Sequence, residues 1–330
     1  MNADASDPVN ALRAGAALIN PAGKQLVVAT GADRVRFLQG IVTGNVADTA
    51  VGAGCHAALL TAKAHMVAEL RIFVRETDLY LVVAAGQGAD TAAALSRYAI
   101  MDDFAAATRA DWDVLALLGP AAESRLDAVG YAPAALASRP LWCHADVAGP
   151  EGVLWLARVH QLGVDGFWLA GPSDALARVA TALVSAGAAP LSPEAAETAR
   201  IAAGEPAWGQ EITGDYFPME VGLDDAIDYT KGCFLGQEPI VRIRDRGHVN
   251  WRLVRLDIAF ADAAASAPAS PGDRLESDIK PKSGKLTSVA RLADGRGVGL
   301  ALLHVSVPAG HAVRIVSTDG AVSAPATVIG

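Results

Sequence analysis

The sequence predicts an α+β protein of more than one domain, with α+β layering followed by a C-terminal β-barrel or sandwich. Three observations carry that prediction. The chain has 330 residues, more than the roughly 250–300 at which a single hydrophobic core stops growing. Strand-like and helix-like segments alternate through most of its length. From Trp251 onward, strand-like segments follow one another with no helical pattern between them.

Lys24–Thr30 (KQLVVAT) reads as a strand, and GADRVRFLQG after it as a short helix begun near Asp33 and stopped by Gly40. HAALLT, MVAELRIFVRE and DLYLVVAA are rich in branched and aromatic residues and separated by short polar turns, which predicts adjacent antiparallel strands. GQGADTAAALSRYAI has the helical spacing to cover them. The order then repeats: strand DWDVLALLG, a helix near Ala121–Val129, strands GVLWLARV and DGFWLAG, and helix SDALARVATALVSAG. In SPEAAETARIAAG, Ser192 is placed as N-cap, Pro193 at the first helical position, Glu194 in the first turn and Gly204 as the stop. WRLVRLDIAF, KLTSVARLA, GVGLALLHV and HAVRIVS supply the strands of that β-barrel or sandwich, with the Ala-, Ser- and Pro-rich ADAAASAPASPGDR as a mobile loop at its edge.

Composition narrows the function classes. Hydrophobic residues make up 52% and charged residues 19%, as in a folded globular protein. A formal net charge of −9 argues against general nucleic-acid binding, which needs a basic face. Asp4 and Asp7 stand where a signal peptide would carry cations, and no apolar run reaches the roughly 18 residues of a membrane span. The expectation is a soluble cytoplasmic protein without membrane contact. Cys55, Cys143 and Cys233 form no local pair, which supports neither a disulfide framework nor a zinc knuckle.

The stretch KGCFLGQE, Lys231–Glu238, sets Cys233 between Gly232 and Gly236 with a cation before it and an amide and a carboxylate after it. Flanking glycines let a loop present its thiol, and Lys231 with Arg242, Arg244, Arg246 and Arg252 downstream offers charges that favour a thiolate. The plainer alternative is a small buried core residue. On an extended strand VRIRDRG would line Arg242, Arg244 and Arg246 along one face, suited to carboxylates or, more simply, to a solvated sheet edge.

KGCFLGQE followed by VRIRDRGHVNWRLVRL resembles the signature of the YgfZ-type folate-binding proteins, iron–sulfur cluster assembly factors related to the glycine-cleavage T-protein, an aminomethyltransferase. GADRVRFLQGIVTGNV, ALLTAKAHMVAELRIF and RIAAGEPAWGQEITGDYFPMEVGL resemble further blocks of that family, in the same order. The resemblance implies a three-domain T-protein-like ring around a central hole. Residues 1–110 would form a folate-binding domain completed by 195–246, residues 111–194 a second α+β domain, and 247–330 the β-barrel. It implies tetrahydrofolate or a one-carbon derivative as ligand, and iron–sulfur assembly machinery or client enzymes as partners. Cys233 would be the functional cysteine, with Lys231, Gly232, Gln237 and Glu238 around it and Arg242 and Arg246 toward the ligand.

The T-protein relatives use an acid in the segment matching HMVAEL, where Ala68 and Glu69 stand in place of an Asp pair. Glu69 is the implied acid or base. LGVDGFW resembles their TGEDGFE, with Val164 and Trp168 at the glutamate positions and Asp165 retained, either for the ligand or for the turn before Gly166. Loss of two acids counts against aminomethyl transfer, which remains the alternative to an accessory role. A third reading is a hydrolase with Cys233, His248 and Asp245 as nucleophile, base and orienter. Trp142, Trp155, Trp168, Trp208 and Trp251 are candidates for stacking on a pterin or, as plainly, for core. His65 with Glu69 is too small a set for a metal, and GRGVGL is a poor dinucleotide fingerprint.

Overall fold

The computed structural model describes residues 12–260, 269–317, 320 and 322–329. The chain divides into two compact units, one of residues 1–196 and 225–237, the other of residues 197–224 and 238–330.

The first unit contains two sheets. One has five strands in the order Gly54–Leu60, Met66–Val74, Leu79–Ala84, Lys24–Thr30, Ala105–Thr108, all antiparallel. Period-2 alternation sorts its side chains. Ala68, Leu70 and Ile72 join a core with Phe37, Leu38, Leu59 and Leu95, while Glu69, Arg71 and Phe73 occupy the opposite face. The other sheet has six strands in the order Ala189–Pro190, Ala17–Ile19, Trp112–Leu118, Val164–Pro172, Gly152–Gln161, His144–Gly149. The Ser173–Ser185 helix covers it with Leu176, Val179, Ala180 and Leu183, spaced for one helical face.

Aromatic contacts join the two sheets within this unit. The Phe73 ring meets Trp155 edge-on at 4.8 Å between centroids. Trp155 Nε1 donates to His144 Nδ1 at 3.0 Å, so His144 carries its proton on Nε2 and donates it to the Val74 carbonyl at 3.0 Å.

The second unit is built on a closed six-stranded barrel, ordered Trp251–Ile258, Gly297–His304, Gly284–Arg291, Arg274–Glu276, Ala312–Val316, Val322–Ile329. Val254, Leu256, Ile258, Leu275, Leu286, Leu303 and Ile315 fill it. Arg200 is buried against this unit's Glu211, 3.0 Å from Nη1, and Nη2 donates to Ser288 at 2.8 Å.

The expected helices and strands recur with small shifts at their ends. The first helix spans Arg34–Ile41, and the Asp33 carboxylate accepts the Asp103 amide at 2.9 Å instead of capping it. Ser192 caps its helix as expected, its Oγ accepting the Ala195 amide at 3.2 Å. Residues 261–268 of the Ala-rich loop lie outside the described residues.

One element is corrected. VRIRDRG is not a strand: Gln237–Arg246 is an α-helix. Pro239 sits in its first turn, where no intrahelical amide is needed, and Glu238 there with Arg244 and Arg246 in the last turn match the helix dipole. Arginine is a good helix former, so its every-second-residue spacing does not by itself make a strand. The cationic row therefore does not exist. Arg242 and Arg246 share a helix side at i,i+4, and Arg244 pairs with Asp245 at 2.6 Å.

Candidate functional site

Cys233 lies on an exposed loop whose two flanks are fastened down. Residues 225–237 are fastened to Gly40 and to the Val42–Gly44 turn, which itself bridges the Gly54–Leu60 edge strand at Leu59. The Asp228 amide donates to the Thr43 carbonyl at 3.0 Å, Thr43 Oγ1 donates to the Ala226 carbonyl at 2.5 Å, and the Leu235 amide donates to Gly40 at 3.2 Å. Asn45 Nδ2 donates to Asp228 Oδ2 at 3.0 Å. Hydrogen bonds from the Thr230 hydroxyl and amide hold the Asp228 carboxyl below the usual carboxylate range.

The motif residues divide their work around the sulfur. Lys231 Nζ donates to the carbonyls of Val42 at 2.7 Å and Gly44 at 2.5 Å. Burial brings its pKa down to about 8, against the opposing pull of Cys55 and Asp228. Lys231 thus serves as an anchor, with its ammonium committed to backbone oxygen. Gly232 has φ of +95° with open space where a Cβ would stand, whereas Gly236 has φ of +78° and its Cβ would fall 2.5 Å from the Thr61 carbonyl oxygen. Gln237 Oε1 accepts the Phe234 amide at 3.2 Å and closes the turn after the cysteine. Of the other thiols, Cys143 is buried, and Cys55 is half-buried with its pKa raised by burial.

A second cluster stands on the face of the same sheet that is turned away from its helix-side core. Glu69 Oε1 is 3.0 Å from His56 Nε2. His56 Nδ1 is 2.9 Å from Asp225 Oδ2, an ion-pair contact off the axis of a straight hydrogen bond. Arg71 Nη1 is 3.6 Å from the same Asp225 oxygen. Burial would push Glu69 up, but the His56 hydrogen bond and the charges of Lys24, His56 and Arg71 outweigh it and bring it to about 2. Asp225 is also lowered, burial being overcome by His56 and Arg71. Glu69 is therefore an anion throughout the neutral range, with 19% of its side chain open to solvent.

Aromatic rings line this cluster. The Arg71 guanidinium lies 4.1 Å from the Trp142 centroid, Trp142 is 5.8 Å from Trp168, and Lys24 Nζ is 5.6 Å from Trp168. Trp142 holds φ of +67°, a conformation costly for a bulky side chain and one that often marks a ligand-facing position. Trp155 and Trp168 are buried core residues, while Trp208 and Trp251 are half-buried in the second unit.

The remaining nominated residues stand elsewhere. Asp165 pairs across strands with His160 at 2.7 Å and Arg158 at 3.1 Å, and the His160 hydrogen bond is the main cause of its lowered pKa. It lines a cavity of about 470 Å³ with Arg13, Glu123, Arg158, His160 and Phe167, and Glu69 is not among the lining residues. Glu238, Arg242 and Arg246 are exposed on the helix of the second unit. Asp245 spends its carboxylate on Arg244, at 2.6 and 3.1 Å, which removes it as the orienter of His248. Sequence reasoning missed His56, Arg71 and Asp225. The first two were recoverable: in a hairpin pairing Ala58 with Glu69 and His56 with Arg71, all three polar side chains share one face.

Fold and site together define a protein of one antiparallel sheet, one mixed sheet and a closed barrel, with an ionised carboxylate on one face of the antiparallel sheet and an exposed motif cysteine on the segment fastened beside its edge. Residues 1–231 match the GCVT N-terminal domain family, and the chain belongs to that family. An aminomethyltransferase of Rubrobacter xylanophilus is 29% identical over 309 residues, covering 92% of this chain and 80% of the relative. The aminomethyltransferase of Herpetosiphon aurantiacus is 29% identical over 250 residues, 75% of this chain and 68% of the relative. The putative chloroplastic transferase At1g60990 of Arabidopsis thaliana is 26% identical over 270 residues, 81% of this chain but only 60% of that longer protein. The crystal structure of glycine cleavage system aminomethyltransferase T from Bartonella henselae superposes with a TM-score of 0.84 at 21% identity, covering 98% of this chain and 87% of that one, which establishes a T-protein-like fold. Among the described residues no helix is long and apolar enough to cross a membrane.

Proposed function

We propose that this protein binds a tetrahydrofolate-type ligand at the Glu69 face and supports iron–sulfur cluster assembly or repair through the thiol of Cys233. The observation that carries the reading is the exposed sulfur on a loop whose neighbours on both sides are hydrogen-bonded into place. Such a thiol is reachable by a client protein without unfolding. Glu69, held as an anion beside Trp142 and Arg71, has the chemistry to accept N–H donors from a pterin ring while an aromatic face stacks on it. Tetrahydrofolate titrated into the protein is expected to change tryptophan fluorescence saturably, since Trp142 and Trp168 lie against Arg71 and Lys24, the cations whose charges act on the carboxylate. A flat titration removes the ligand from the proposal. Cys233→Ala is expected to lower client iron–sulfur enzyme activity in cells, and unchanged activity removes the thiol.

One observation favours aminomethyl transfer as the second reading. Ala68, which stands in for one member of the expected Asp pair, points into the helix-side core, so only Glu69 of the two positions addresses the site. Losing that acid subtracts nothing from the ligand face. Methylene transfer to tetrahydrofolate by the native protein that disappears in Glu69→Gln would establish this activity, and its absence in the native protein would exclude it.

A further inference from the structure

His56 touches both parts of the proposed site. Its imidazole, with only 3% of the side chain exposed, reaches Glu69 through Nε2 and Asp225 through Nδ1, at 3.0 and 2.9 Å. Asp225 begins the 225–237 segment that carries Cys233, and its side chain is 65% exposed. The charged groups facing this imidazole come from three elements: Glu69 and Arg71 on the Met66–Val74 strand, Asp225 on the segment, and Lys24, whose charge reaches Glu69 from the Lys24–Thr30 strand.

We infer that His56 is a positioning residue that couples the Glu69 carboxylate to the cysteine-bearing segment through Asp225. Its two ring nitrogens do separate jobs. Nε2 fixes one oxygen of Glu69 and leaves the rest of the carboxylate to a ligand. Nδ1 sets the start of the segment against the sheet that bears Glu69 by an off-axis contact of 2.9 Å, and both nitrogens face a carboxylate with an N–H only in the protonated imidazole. A ligand that draws Glu69 away from His56 therefore changes what holds Asp225, and with it the freedom of the loop around Cys233. The same imidazole works in the reverse direction, because coupling between two sites is reciprocal. The functional significance of this link rests on the reading of Glu69 and Cys233 given above, whereas the link itself does not.

Two amide substitutions separate the jobs. The side-chain nitrogen of glutamine in His56→Gln reaches the place of Nε2, and that of asparagine in His56→Asn reaches the place of Nδ1. In the full-length protein, His56→Gln is expected to leave the Glu69 titration, followed by carboxyl carbon NMR, near its native position. In the same variant, hydrogen exchange of the Asp228 and Leu235 amides and iodoacetamide labelling of Cys233 should accelerate at least tenfold. His56→Asn should do the opposite, keeping native exchange while Glu69 titrates at higher pH. Asp225→Asn should reproduce the His56→Gln pattern, and it provides the test if neither His56 variant folds. Parallel changes in both readouts for the two His56 variants would reduce His56 to a structural residue and overturn the inference, as would native exchange in Asp225→Asn. None of these measurements uses folate, so a protein that fails to bind tetrahydrofolate would remove the functional reading and leave this one standing.

Discussion

Lys231 donates from Nζ to the Val42 carbonyl oxygen at 2.7 Å, so the cation two places before Cys233 is turned toward the sheet edge. The motif lysine therefore organises the loop through backbone hydrogen bonds. Replacing it with methionine leaves the carbonyls of Val42 and Gly44 without this donor. A loss of about 1–3 kcal/mol is expected for Lys231→Met in urea unfolding, with faster hydrogen exchange concentrated in residues 225–237.

The two motif glycines should respond differently to alanine. Both have positive φ, which costs a non-glycine residue roughly 1–2 kcal/mol. Gly232→Ala meets open space and should lose about that much alone. At Gly236 the added methyl would also collide with the Thr61 carbonyl, adding about 1–3 kcal/mol of overpacking. Thermal unfolding of the pair checks the order, and equal losses would contradict it.

Exposure sets the order in which the thiols react. Cys233 is exposed, Cys55 half-buried with burial raising its pKa, and Cys143 buried. Iodoacetamide at neutral pH should label Cys233 first, with the other two reacting at least tenfold more slowly until denaturant is added. Peptide mass spectrometry reads the sites directly.

Acid should weaken the first unit through Glu69. Its folded pKa of about 2 lies below the ordinary 4.5, so the unfolded chain binds more protons between those values. The stabilisation is complete above pH 4.5 and is lost as the pH falls toward 2. Its size is at most about 3 kcal/mol. Urea midpoints measured across that range should fall less steeply in Glu69→Gln than in the native protein.

The second unit has its own sensitive point in Arg200. Arg200→Met strands the fully buried Glu211 carboxylate and removes a donor from Ser288. Breaking a buried ion pair from one side typically costs about 3–5 kcal/mol. A clear fall in the unfolding temperature is expected, larger than for Arg178→Met, whose pairs with Glu151 and Asp174 are at the surface.

Much of the fold was legible because its signals are local. Period-2 alternation in Met66–Val74 and the Ser192–Pro193–Glu194 start with its Gly204 stop depend on neighbours in the chain. The arginine-rich helix was misread because Arg242, Arg244 and Arg246 at every second position match the strand period, while the helix signals were Pro239 and Glu238 in the first turn. In the candidate site, Cys233 and Glu69 stood out by residue type and motif. Asp225 did not, since nothing local marks an aspartate that reaches a histidine 169 positions earlier.

By itself, the amino-acid order determined the α+β character, the all-β part at the end of the chain and the thiol and carboxylate on which the proposed function is built. These follow from patterning and from a contiguous motif, which survive without knowledge of long-range contacts. Tertiary structure alone decided what the charges do. It turned Lys231 inward, paired Asp165 with Arg158 and His160, and set His56 between two carboxylates. The reason is physical: electrostatic partners are chosen by distance in space and by burial, and neither quantity is written in the spacing of residues along a chain.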